Sequence, residues 1–164
     1  MVRIKQKNDL IALLRSLVSR DTRYEKKSEK NIRSILLKEL RNRGFLCEIV
    51  MTDGRPNILA DNNKQGKSIL CYGHTDTVGV VNGWSKKPFQ LTIQGNRAFG
   101  LGAYDMKGGI AALLRALTNT HRHIKILFAV DEENISQGAW GVIEKRGKNF
   151  DDVELVLSAE PNFG

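Results

Sequence analysis

The chain has 164 residues, 41% of them hydrophobic, with two cysteines and a formal charge of +8. That length suits a single domain with a real core, and two cysteines outside any Cys-x-x-Cys pair exclude a disulfide scaffold. The charge is local: residues 1–45 hold 13 Lys/Arg against 5 Asp/Glu and residues 46–164 hold 13 against 13, a pattern of solvated helix faces without the aromatic interleaving of a nucleic-acid binder.

Leu10, Ile11, Leu13, Leu14, Leu17 and Val18 recur at helical spacing and predict a helix over about 7–19. A second runs over about 28–43 with Ile32, Ile35, Leu36 and Leu40 inward, and Gly44 supplies its left-handed stop. Two short strands follow, Phe45 to Met51 and Asn57 to Ala60, split by the turn residues Asp53-Gly-Arg-Pro56. The apolar run of Lys67 to Tyr72 is a buried strand that delivers His74. A loop with Trp84 and Pro88, whose Trp84 and Phe89 read as packing residues, leads to an edge strand around Phe89 to Ile93.

The glycine-rich run Gly100 to Gly109 precedes an apolar helix carrying Ile110, Leu113, Leu114 and Leu117. Its glycines lack dinucleotide spacing and no Gly-Lys-Ser/Thr occurs, so a nucleotide site is excluded. Lys107 reads as a plain helix-start residue. Ile124 to Val130 is the clearest buried strand, ending in Asp131-Glu-Glu133; a helix over about 138–146 and a strand from Val153 to Leu157 lead to Ser158-Ala-Glu-Pro161. Strands alternating with helices predict an α/β fold, a sheet covered on both faces, with its site beyond the carboxyl ends of the strands.

The acidic and His residues cluster at those ends. His74 and Asp76, two apart, share a strand face, as a metal-ligand imidazole and an orienting carboxylate do. Read singly, Asp105 suits a helix N-cap, Asp131-Glu-Glu133 a solvated strand end and Glu160 a turn. Read together, one imidazole and several carboxylates make a hard, oxygen-rich donor set suited to Zn²⁺, Mn²⁺ or Co²⁺. Adjacent Glu132 and Glu133 diverge, so one ligand and one general base is the natural division, and such a base serves amide hydrolysis.

At these residues the sequence resembles the M20 family of metallopeptidases and deacylases. The matching motifs are GHTDTV (73–78), Trp84 with Pro88-Phe89, GLGAYDMKGG (100–109), DEE (131–133) and AEP (159–161), in order over about residues 7–161. The resemblance implies a zinc-peptidase-like catalytic domain, a three-layer α/β/α sandwich on a mixed, mostly parallel sheet. It implies two Zn²⁺, with His74 and Glu160 on one, Glu133 on the other and Asp105 bridging. It further implies Asp76 as the partner that orients His74, Glu132 as general base, a cis peptide at Asp105-Met106, and an N-acyl amino acid or small peptide as substrate.

Family enzymes continue past the position of Glu160 into a lid or dimerisation domain and then a closing segment. The expectation is therefore that residues 1–164 are the first segment of the catalytic domain, with one metal site complete, one incomplete, little turnover alone, and a homodimer only where the lid is present. A non-catalytic remnant or split-gene subunit that binds metal or a partner chain is the alternative. A nucleic-acid module, resting on the basic first 45 residues, is a third. The opening Met-Val-Arg-Ile-Lys-Gln-Lys has no apolar run with a cleavage site, and no uncharged run approaches membrane-spanning length, so a cytoplasmic location without a membrane partner is expected.

Overall fold

The computed structural model of the chain describes residues 2–117 and 120–161, with side chains from residue 8. Helices α1 (Val2–Val18) and α2 (Lys30–Arg41) open the fold. Ile32, Leu36 and Leu40 form the buried stripe of α2, four residues apart as a helix requires, and Gly44 follows at φ +81°.

Strands β1 (Leu46–Thr52) and β2 (Arg55–Asp61) form a hairpin in which Thr52 faces Arg55. Asp53 and Gly54, at φ 48° and 72°, make its two-residue connection, the geometry that Asp-Gly favours. Arg55 and Pro56 thus belong to the strand and not to the turn where the sequence puts them. β3 (Ser68–His74) follows, then a small separate hairpin of β4 (Thr92–Gln94) and β5 (Arg97–Phe99) in place of the single edge strand expected around 89–93. Helix α3 (Lys107–Ala116), strand β6 (His123–Ala129), helix α4 (Gln137–Arg146) and strand β7 (Val153–Ser158) complete the order.

The main sheet runs β1-β2-β6-β3-β7. β2 is antiparallel to β1 and β6, whereas β3 is parallel to β6 and β7. The parallel half brings three carboxyl ends to one edge, and there the candidate site lies.

Alternation along the strands separates two cores. Ile124, Ile126 and Phe128 of β6, with Ile58, Ala60 and Cys71, pack beneath Leu13, Leu17, Leu36, Ile110 and Leu114 of the first three helices. Leu127 and Ala129, with Leu59 and Val50, face Val142 of α4. The sheet is therefore the middle layer of an α/β/α sandwich, and every residue of β6 is buried, which suits the apolar run Ile126 to Ala129, while the buried Lys125 donates to Asn149 O and Asp152 Oδ1. Emptying the Phe128 site with alanine would cost about 3–5 kcal/mol.

β7 pairs with β3 on one side, and its Leu155, Val156 and Leu157 are 52%, 59% and 44% exposed. Among the described residues, no helix is long and apolar enough to cross a membrane.

Candidate metal centre

His74 ends β3 and is almost fully buried. Its backbone is fixed from two sides: the His74 N–H donates to Met106 Sδ at 3.0 Å, and the next residue, Thr75, gives both its N–H (2.8 Å) and its hydroxyl (3.0 Å) to the Ala129 carbonyl at the end of β6. The loop beyond is stitched to the amino-terminal region. Thr77 N–H donates to Thr22 O at 3.1 Å, and Tyr24 N–H to Thr77 O at 3.0 Å.

The imidazole stands between acids. Nε2 lies 3.0 Å from Asp105 Oδ1, 3.6 Å from Glu160 Oε1 and 3.8 Å from Glu132 Oε2. Nδ1 meets the Asp76 carbonyl oxygen at 3.1 Å and the Asp76 carboxylate at 3.6 Å. Burial alone would push the His74 pKa down, but Asp76, Glu160 and Asp105 outweigh it and raise it to about 9. Asp76 is itself fully buried, and its Oδ2 accepts the Glu133 N–H at 3.0 Å.

Asp105 sits in the turn before α3, followed by a cis Asp105-Met106 bond. It does not cap the helix; Met106 holds that position without a side-chain cap bond. The glycines that follow allow close packing. A Cβ on Gly108 would lie 2.3 Å from Ala103 O, and one on Gly109 would lie 2.1 Å from Ala159 O, beside Glu160. Helix α3 thus presses the turn bearing Asp105 and the strand end bearing Glu160 against one another.

The structure brings donor atoms of His74, Asp105 and Glu160 within 4.8 Å of one another. Glu133 lies outside that group, yet close enough that burial, then Asp105, Asp76 and Glu132, raise its pKa to about 6 against the lowering effect of His74. Glu160 is raised by burial, and Asp105 and Glu132 add to that while His74 opposes it. Glu132, Asp105 and Glu160 have side chains 37%, 39% and 35% exposed above a buried His74, so the acids form an open shelf with the imidazole at its base.

These residues fit a divalent cation. One imidazole and two carboxylates are the donor number and type of a catalytic zinc site, and the crowded acids need a positive charge. Asp76 Oδ1 is fully buried with no hydrogen-bond partner; it faces Nδ1 and would hold a proton there, leaving the Nε2 lone pair for the ion.

Three residues escape a reading of the sequence. Lys107 is fully buried, with Nζ donating to Arg20 O at 2.8 Å, and burial lowers its pKa to about 8. Arg55 and Glu29 are buried in an ion pair that also includes Asp131. Conversely, Trp84 is 37% exposed, not packed as expected, while Phe89 lies under the Arg23 guanidinium at 5.3 Å.

A family model described as Peptidase family M20/M25/M40 matches residues 70–163. Succinyl-diaminopimelate desuccinylase of Psychromonas ingrahamii is 32% identical over 93% of this chain and 43% of its own length. Acetylornithine deacetylase of Photorhabdus laumondii is 37% identical over 68% of this chain and 31% of its own. The solved structure of an M20 family metallo-carboxypeptidase from Sulfolobus solfataricus has a TM-score of 0.80 at 23% identity, covering 92% of this chain and 37% of that one. The chain spans about two fifths of the length of the first of these relatives.

Proposed function

The chain belongs to the M20/M25/M40 peptidase family, and from that premise we propose that it takes part in metal-dependent hydrolysis of an amide bond in an N-acyl amino acid or small peptide. One observation carries the reading: His74, Asp105 and Glu160, from three separate segments, offer donor atoms within 4.8 Å of one another.

In this reading His74, Asp105 and Glu160 hold one cation, with Zn²⁺, Co²⁺ and Mn²⁺ the candidates, and Asp105 with Glu133 contributes to a second. A divalent cation supplies Lewis-acid polarisation of the scissile carbonyl and lowers the pKa of water toward neutrality. The chain's own groups do the rest. Asp76 fixes the ring of His74. Glu132, 3.8 Å from His74 Nε2 and partly open to solvent, accepts a proton as water oxygen bonds to the carbonyl carbon. It returns that proton to the nitrogen as the C–N bond breaks, giving a carboxylate and an amine.

The test pairs Zn²⁺ titration with hydrolysis of N-acetyl and N-succinyl amino acids. Glu132→Gln should leave cation affinity within about threefold and lower turnover by about 10²–10⁴-fold, whereas His74→Ala should lose the cation. An active His74→Ala or a fully active Glu132→Gln would sink the reading.

A second reading, a chain that binds a single cation tightly without turnover of its own, is favoured by one observation. Among the described residues the second site has only Asp105 and Glu133 assigned to it, and Glu133 lies outside the close donor group. One tight Zn²⁺ per chain with no hydrolysis of any acyl substrate would support it.

A further inference from the structure

We propose that Arg55 is a positioning residue whose guanidinium clamps Asp131 in the left-handed backbone conformation that aims Glu132 and Glu133 at the cation site. The inference rests on the reading of Glu132 as the proton-transfer group.

Asp131 is the hinge of the acidic segment. It has φ +65°, a region that L-residues rarely occupy and that Asp and Asn tolerate best. Its own side chain locks it there. Arg55 Nη1 donates to Asp131 Oδ1, while the Asn134 side chain and the Gln137 N–H reach the same carboxylate only at 3.4 Å each. The Ser136 N–H closes the loop onto Asp131 O at 2.7 Å. Beyond this hinge the next two residues are Glu132 and Glu133.

Arg55 is anchored on its far side. Nη2 donates to Glu29 Oε1 and, at 3.0 Å, to Tyr24 O. Arg55, Glu29 and Asp131 are 4%, 1% and 3% exposed, so one forked cation joins two buried acids in the geometry guanidinium alone supplies. Lysine cannot span both.

The strand itself does not need this clamp. β2 is held by its ladders to β1 and β6 and by Ile58 and Ala60 in the core. The guanidinium instead ties the start of α2 to the loop after β6. That loop presents Glu132 toward His74 and places the Glu133 N–H 3.0 Å from Asp76 Oδ2.

Amide hydrogen exchange on the whole chain tests this. In Arg55→Met and in Asp131→Ala, exchange at the Glu133 amide should quicken at least about tenfold, while Ile126 and Phe128 in β6 hold their rates. Asp131→Asn, which tolerates positive φ and still accepts from Arg55, should restore native exchange at Glu133. Zn²⁺ affinity of the His74, Asp105 and Glu160 site should stay within about threefold in all three variants, and hydrolysis, where measured, should lose kcat and keep KM in Arg55→Met and Asp131→Ala, while Asp131→Asn keeps native turnover. Should Arg55→Met leave two buried acids unpaired and fail to fold, the Asp131 pair decides.

Unchanged exchange at Glu133 in Asp131→Ala overturns the proposal. So does a uniform acceleration that includes β6, which would make the cluster a stability element alone. If exchange responds as expected but Glu132→Gln keeps full turnover, the assignment of the base fails and the clamp stands.

Discussion

His74 Nε2 and Asp105 Oδ1 lie 3.0 Å apart across 31 residues of sequence. Their meeting depends on two independent supports: the β3–β6 pairing that sets the imidazole at a strand end, and the close seat of α3 that carries the turn bearing Asp105. Each support yields an experiment.

Asp76 is the support of the ring. With Oδ1 near Nδ1 and Oδ2 taken by the Glu133 N–H, Asp76→Asn keeps the shape and loses the charge that orients the imidazole. Cation affinity should fall by about 10–100-fold in a calorimetric Zn²⁺ titration. An unaltered titration would remove Asp76 from the site.

Gly109 is the support of the seat. Ala159 O would meet a Cβ there at 2.1 Å, so Gly109→Ala must displace the strand end that carries Glu160. A stability loss of about 1–3 kcal/mol is expected, together with weaker cation binding. Gly147→Ala is the control: nothing lies within 4 Å and its φ is −48°. That change should be neutral or stabilise by about 0.4–1 kcal/mol, as read from denaturant midpoints.

Acid should loosen the loop after α1. The hydrogen bond from Arg23, reinforced by its charge against partial burial, holds the Asp21 carboxyl down at about 2, below the ordinary 3.8. A depressed folded-state pKa contributes stability that is present above about pH 4 and lost as pH falls toward 2. The pair is partly exposed, with side chains 16% and 29% accessible, so solvent screening limits the effect to about 1 kcal/mol. Asp21→Asn should remove this part of the acid slope in urea melts at pH 4 and pH 2. A variant with the wild-type slope would contradict the assignment.

The exposed side chains of β7 predict self-association. Leu155, Val156 and Leu157 sit on a strand that, among the described residues, pairs only with β3, and such edges recruit other chains. Light scattering should show mass rising with protein concentration, and Leu155→Lys should suppress the rise. A monodisperse monomer at high concentration would count against this.

Much of the frame was legible because its signals are local. Helical spacing marked both ends of α2 to within two residues and the end of α1 to within one, though α1 begins five residues before its expected start; Gly44 marked a helix stop, and the apolar residues around Lys125 marked β6. The roles proposed for the candidate site residues came mainly from motif resemblance, since a carboxylate at a strand end has no local property that separates a ligand from a solvated side chain. Arg55, Glu29 and Lys107 were not legible at all. Charged residues are by default exposed, and what buries these three is a set of partners 26, 76 and 87 residues away. Trp84 failed for the opposite reason: an aromatic residue implies packing, and nothing local shows that its loop stays open.

The hydrogen bonds that bind Thr77 to Thr22 and Tyr24 have a practical corollary for anyone trimming this protein. Among the described residues the imidazole's hydrogen-bond and ion-pair partners all lie beyond the first two dozen, yet the peptide just past it leans on that opening stretch, and the ammonium of Lys107 rests on Arg20. A version begun at residue 25 would retain every proposed ligand while taking away the brace beneath them.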